Sequence, residues 1–263
     1  MSIGIPILEI ANVTKSFKGW RAVCGASFDV GRGSITALIG PNGAGKTTMF
    51  DMIAGFSRPD SGQIRLARHN ITGLPPHRIA RRGLVRSFQF PRVLAGMTVL
   101  ENVLLAAPRQ TGEHLLSMLA RPRLARDREA LAHIAAKEFL RLFGLNAWSD
   151  EFAGTLSGGQ RRLLGMAQVL MTEPEIVLLD EPLTGIGPGL AADIFDIIAS
   201  ARQQSMTTFL FIEHNLDVVM RRADEIVVMV EGRVIGAGTP EAITSNSQVI
   251  DAYMGDMRKW DFQ

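Results

Sequence analysis

The chain has 263 residues, 46% hydrophobic and 21% charged, with a formal net charge of +2. That length supports a large buried core, as one domain or as a core with a subdomain. So small a basic excess argues against a nucleic-acid-binding face, which concentrates its charge, and the single cysteine, Cys24, excludes an internal disulfide and fits a reducing compartment.

Ile7 to Val13, Ala26 to Val30 and Ile35 to Ile39 are short apolar or alternating runs broken by Gly and Asn, and they read as strands. Arg58 to Gly62 is a turn cluster between a helix and a further strand, Gln63 to Ala67. Together they predict a small antiparallel sheet beside the first strand of a larger one. From Val99 to Leu145 alanine, leucine, arginine and glutamate dominate, with Leu131, Ile134, Ala135, Glu138, Phe139 and Leu142 at helical spacing. This segment reads as a helical insertion. Beyond it, strands Ile176 to Leu179, Thr208 to Ile212 and Ile226 to Met229 alternate with helices Ala191 to Ala201 and Leu216 to Arg222. Such alternation implies βαβ units and a buried parallel sheet. Pro240 to Tyr253 reads as one helix, followed by a loosely attached end that carries Trp260 and Phe262.

Met1 to Ile10 lacks the basic segment and the small-residue cleavage site of a signal peptide. The longest apolar runs, Ile226 to Val230 and Ile176 to Leu179, are far shorter than the roughly 18 residues that span a bilayer. A membrane role is therefore expected to come through a partner. A basic cluster, Arg121, Arg123, Arg126 and Arg128, reads as a solvated helical face rather than a contact for anionic headgroups.

Gly40-Pro41-Asn42-Gly43-Ala44-Gly45-Lys46-Thr47 matches G-x-x-x-x-G-K-[ST], directly after an apolar strand and directly before a helix, Thr47 to Ala54. Glycines let backbone amides wrap phosphate oxygens, and the helix adds its positive end. Lys46 is expected to reach the β- and γ-phosphates, and Thr47 to ligate Mg²⁺ through its hydroxyl. Ile176 to Leu179 runs into Asp180 and Glu181. In phosphate-loop enzymes an acid at this place holds Mg²⁺, which makes Asp180 the metal candidate. Alternation along the strand end aims Glu181 differently, toward work as a general base on the attacking water. Leu156-Ser157-Gly158-Gly159-Gln160 precedes an amphipathic helix carrying Leu163, Leu164, Met166, Ala167 and Leu170. Ser157 is the expected N-cap, and the glycines leave amides bare as a second anion site.

These motifs, in this order, resemble the ATP-binding cassette subunits of ABC transporters over essentially the whole chain. Leu156 to Gln160 matches that family's signature, Gln89 its Q-loop, His214 its switch histidine, and Phe17 the aromatic position that stacks on adenine. The resemblance implies an α/β fold: a P-loop (RecA-like) core with a mainly parallel sheet, an N-terminal antiparallel β subdomain and an inserted α-helical subdomain. The core would take residues 1–90 and 160–263, and the helical subdomain 91–159. It implies ATP and Mg²⁺, with Glu181, His214, Gln89 and Lys46 catalytic. Phe17, Gly40 to Thr47 and Thr48 would bind nucleotide, and Thr47, Gln89 and Asp180 would serve the metal. Two cassettes, identical or paralogous, would pair head to tail, with Ser157, Gly159 and Gln160 of one capping ATP on the other. Two transmembrane permease subunits and, indirectly, a solute-binding protein would complete the assembly at the cytoplasmic face of the membrane, with no nucleic acid involved.

Pro91 to Val103, the long insertion, Gly185 and Gly238 to Glu241 resemble the subgroup serving branched-chain amino-acid importers. The lipopolysaccharide-export ATPase is a similar relative and remains an alternative, as does a soluble cassette ATPase of DNA repair or translation. Gly187 stands where the family commonly has an acidic residue or Asn, and it offers no side-chain contact between the two sites of a dimer through that loop.

Overall fold

A computed structural model describes residues 6–87, 93–108, 122–184 and 187–251. Among these the chain divides into two compact units. The first comprises Met1–Arg86, Glu175–Thr184 and Arg202–Gln263, and the second Ser87–Pro174 and Gly185–Ala201.

The first unit holds two sheets. Strands β1 (Pro6–Phe17), β2 (Trp20–Gly31), β4 (Ser61–Leu66) and β5 (His69–Asn70) form an antiparallel sheet in the order β2-β1-β4-β5. The β1–β2 turn is Lys18-Gly19, with φ of 48° and 89°. Two positive φ values in a two-residue loop match the right-handed twist of the paired strands. The second sheet runs β10-β9-β3-β8-β7-β6, from β3 (Ile35–Ile39), β6 (Leu84–Arg86), β7 (Ile176–Asp180), β8 (Thr208–Ile212), β9 (Glu225–Val230) and β10 (Arg233–Gly238). All its pairs are parallel except β9 with β10. Every residue of β3 and β8 is buried, which is why these strands read as continuous apolar runs rather than alternation. Helix α1 (Lys46–Ile53) buries Met49, Phe50, Met52 and Ile53 in one hydrophobic core that also takes residues of both sheets.

The second unit contains helices Val99–Leu104, Pro122–Leu142 and Gly158–Met171, packed on one another. Thr98 and Glu101 cap the first with reciprocal side-chain bonds. Inside it Asn102 is fully buried. Its Oδ1 accepts from the Leu94 amide at 2.9 Å, and its Nδ2 donates to the carbonyls of Leu94 and Thr98 at 3.0 and 2.9 Å. Gln168 of the third helix donates to the Asn102 carbonyl at 3.0 Å. The helix Gly158–Met171 falls in this second unit.

Several expectations are corrected here. The helix Pro122–Leu142 buries Ala136 and Leu140, with Phe143 just beyond its end, while Leu131 and Ile134 are 65% and 56% exposed. Spacing alone did not choose between two adjacent stripes on one helix. The end segment is two short helices, Pro240–Thr244 and Ser247–Val249, because the Asn246 side chain accepts from the Gln248 and Val249 amides and starts a new cap. Strands β5, β6 and β10 were not anticipated; they are two to six residues long, and β10 has intermediate burial with two glycines. Arg126 and Arg128 are exposed. Arg121, Trp260 and Phe262 lie outside the described residues. Among the described residues no helix is long and apolar enough to cross a membrane.

Asn102→Ala is expected to cost about 2 kcal/mol, because it leaves buried backbone groups unbonded. Leu131→Ala is expected to change stability by less than about 0.5 kcal/mol. Urea unfolding of the two variants measures both.

Candidate active site

The cleft lies in the first unit and is lined by residues Asn42 to Thr48 with Trp20, Glu181 and His214. Its floor is the turn from β3 into α1. Two glycines there are forced. Gly40 has φ 153°, and a Cβ on it would run into the Met229 carbonyl oxygen. Gly45 has φ 95°, and a Cβ on it would run into the Ala22 carbonyl oxygen. The loop is thus clamped between β2 and β9 at distances only hydrogen permits. Gly232 N donates to the Ala44 carbonyl at 3.1 Å and fixes it further.

Lys46 is only 6% exposed. Its Nζ donates to the carbonyls of Gly40 at 2.7 Å and Pro41 at 3.0 Å. Burial pushes its ammonium below the usual lysine range, against the opposing charges of Glu181 and Asp180. Thr47 and Thr48 follow on the first turn of α1 and line the same cleft.

Glu181 enters the cleft by a route other than strand alternation. It takes φ 47°, a left-handed conformation rare for a residue with a side chain. Its Oε1 lies 2.9 Å from His214 Nε2, and its Oε2 accepts from the Thr184 hydroxyl at 3.1 Å. Burial acts to raise the Glu181 carboxyl, but the bonds from His214 and Thr184 outweigh it and hold the group below the ordinary carboxylate range. The ionised carboxylate accepts, so Nε2 carries the hydrogen. The arrangement puts an ionised acid, a histidine and a buried ammonium around one amide-lined pocket. That combination suits binding a polyphosphate and activating a water beside it.

Asp180 does not line the cleft. Its Oδ2 accepts from Arg86 Nη2 at 2.6 Å, and Arg86 Nη1 bridges to Asp51 of α1 at 2.5 Å. The Arg86 guanidinium also lies 6.0 and 5.8 Å from the Phe50 and Phe56 ring centroids. One carboxylate and the Thr47 hydroxyl are a donor set that suits Mg²⁺, which takes one or two protein oxygens and fills its shell with water and phosphate.

Phe17 is not among the lining residues; it is 46% exposed with Lys15 Nζ 5.4 Å from its ring centroid. Trp20, paired opposite Phe17 across the hairpin turn and 58% exposed, lines the cleft instead. Sequence reasoning passed over Trp20, although an exposed aromatic two residues beyond Phe17-Lys18 at a hairpin tip was the available signal. It also passed over Arg86 and Thr184, whose roles depend on contacts between distant strand ends.

In the second unit Ser157 caps the helix Gly158–Met171. Its Oγ accepts from the Gln160 amide at 3.3 Å, and Gln160 Oε1 accepts from the Ser157 amide at 2.9 Å. This reciprocal cap engages the amides of Ser157 and Gln160 and is the N-cap expected of Ser157. The helix buries Leu163, Leu164, Met166, Ala167 and Leu170. Gly187 is exposed, with nothing within 4 Å of where a Cβ would stand. Gln89 and Gly185 lie outside the described residues.

Residues 23–184 match the family model described as ABC transporter. The chain is 41% identical over 251 residues to a high-affinity branched-chain amino acid transport ATP-binding protein of Pseudomonas aeruginosa, covering 95% of this chain and 98% of that one. It is 39% identical to a probable branched-chain amino acid transport ATP-binding protein of Archaeoglobus fulgidus, with 95% of each covered. The solved ADP conformation of an ATP-binding cassette of an ABC transporter superposes with TM-score 0.79 at 36% identity, covering 95% of this chain and 99% of that one. A phosphate loop, an acid–histidine pair facing it and a signature-capped helix, in a chain so close to such relatives, make this protein a member of the ABC transporter family, one of its ATP-binding, ATP-hydrolysing cassette subunits.

Proposed function

We propose that the chain is the ATP-hydrolysing motor of an importer for branched-chain or related amino acids, docked on two transmembrane permease subunits at the cytoplasmic face of the membrane and served by a solute-binding protein. The observation that carries the reading is the Glu181–His214 pair, 2.9 Å apart, facing the Lys46 loop, in a chain 41% identical to a branched-chain amino acid transport ATP-binding protein.

In this reading the amides of Gly43, Gly45, Lys46, Thr47 and Thr48 hold the phosphates, with Gly40, Pro41, Asn42 and Ala44 shaping the loop. Lys46 neutralises the β- and γ-phosphates; its ammonium is already desolvated, which strengthens that attraction. Glu181, kept ionised by His214 and Thr184, orients and deprotonates the attacking water. His214 then turns toward the γ-phosphate, and Gln89 carries the catalytic role that the family resemblance gives it. Thr47 and Asp180 would hold Mg²⁺, and Gln89 would serve it as the family resemblance implies; when bound, the metal supplies positive charge to the transferring phosphoryl group. Asp180 reaches that role by sharing or releasing Arg86. Phe17 and its hairpin partner Trp20 flank the base. A second cassette, identical or paralogous, supplies Ser157, Gly159 and Gln160 across a head-to-tail dimer, so that closure depends on ATP.

Lys46→Ala is expected to weaken ATP binding strongly, and Glu181→Gln to retain ATP while losing roughly 10²-fold or more in turnover. Calorimetry and phosphate release check the pair; a near wild-type rate for Glu181→Gln places the base elsewhere. Trp20 emission is expected to change when ATP fills the cleft, and the change should vanish in Trp20→Phe. For cargo, vesicles holding the chain with its permeases should accumulate labelled leucine, isoleucine or valine with ATP. Accumulation of none of them, with ATP-driven export of lipid instead, would reject the importer reading.

A further inference from the structure

The buried carboxylate of Glu213 has no part in the chemistry assigned above. Glu213 directly follows β8 and is 4% exposed. Its Oε1 accepts from the Leu183 amide at 2.8 Å, and its Oε2 from the His214 amide at 3.3 Å. Burial raises its carboxyl above the ordinary range, although these two bonds and the neighbouring histidine oppose the rise. A buried carboxylate is costly unless its oxygens are bonded. This one gives both oxygens to the backbone of the two loops that carry Glu181 and His214.

Those loops need such a tie. Strand pairing between β7 and β8 stops at Asp180 opposite Ile212, and the last bond of the pair runs from the Glu181 amide to the Ile212 carbonyl at 3.1 Å. Glu181 then takes its left-handed φ of 47°. For a non-glycine residue that conformation costs about 1–3 kcal/mol and persists only where the surroundings over-determine it. Bonds among the described residues do so. The Thr184 amide donates to the Glu181 carbonyl at 3.2 Å, the Thr184 hydroxyl holds the Glu181 side chain, and Glu213 holds Leu183 between them. Glu213 itself does not line the cleft.

We propose that Glu213 is a positioning residue for ATP hydrolysis: its carboxylate ties the Leu183 amide to the His214 amide and thereby holds Glu181 in the kinked turn that faces His214 and the phosphate loop. The inference rests on the assignment of Glu181 and His214 to hydrolysis.

Glu213→Gln is the incisive change. It keeps size and shape, but a glutamine amide has one accepting oxygen, so one of the two backbone bonds is lost. Displacement of a catalytic group by a fraction of an ångström slows the chemistry without touching phosphate binding. In the full chain kcat is expected to fall about tenfold, with ATP affinity by calorimetry and KM both within about twofold of wild type. Glu213→Ala, which loses both bonds, should fall further. The unchanged affinity of the Gln variant reports that the fold is intact, so the test does not depend on the Ala variant folding. A wild-type kcat in Glu213→Gln beside an inactive Glu181→Gln overturns the clamp alone. A joint loss of kcat and ATP affinity overturns it in favour of a purely structural role. Wild-type rates in both variants overturn the assignment of Glu181 and the clamp with it.

Discussion

A buried ammonium wrapped by carbonyl oxygens is the constraint around which the first unit is organised. Lys46 reaches back over its own loop to the carbonyls of Gly40 and Pro41, and burial disfavours its charge. The two neutral carbonyls accept two of its three hydrogens and only partly replace water. An anion brought to the cleft therefore meets a cation that gains by the encounter, and a polyphosphate offers the most oxygens for it. The position of Lys46 depends in turn on Gly40 and Gly45, which let the loop lie against β2 and β9 where no side chain fits.

The acids beyond that cation are each held by a separate partner. Asp180 is bonded to Arg86, Glu181 to His214 and Thr184, and Glu213 to two amides. All three acids stand at the carboxyl ends of β7 and β8, beside the loop that leaves β3. That is where parallel sheets present their ligand crevice, because the strands end together and only loops continue. Three negative groups so near one another would repel if unpaired. Separate partners allow Glu181 to stay ionised and available while Asp180 is neutralised.

The elements with strong local signals were legible in the sequence. β3 and β8 are five-residue apolar runs, and both were read with the bounds the structure gives. The phosphate loop, the Ser157 cap and the helix Leu216–Arg222 were equally plain, since each depends on residues within a few positions of one another. β5 and β6 escaped notice because two or three residues carry no period. The helix Pro122–Leu142 was legible as a helix, but which of its two overlapping apolar faces is buried was not, and packing selected Ala136 and Leu140. Trp20 was overlooked for a related reason: its place beside the phosphate loop follows from how the β1–β2 hairpin packs.

By itself the sequence determined the local chemistry: a glycine loop that wraps anions, an acidic strand end, a capped helix and the family these belong to. Covalent order and short-range hydrogen bonding suffice for such features. Only the tertiary structure decided which partners the charged groups have. Arg86 meets Asp180 across 94 positions of chain, Glu181 meets His214 across 33, and Leu183 meets Glu213 across 30. Those pairings arise where neighbouring strands of a sheet end side by side, and strand order is settled by the packing of the whole core rather than by any segment within it.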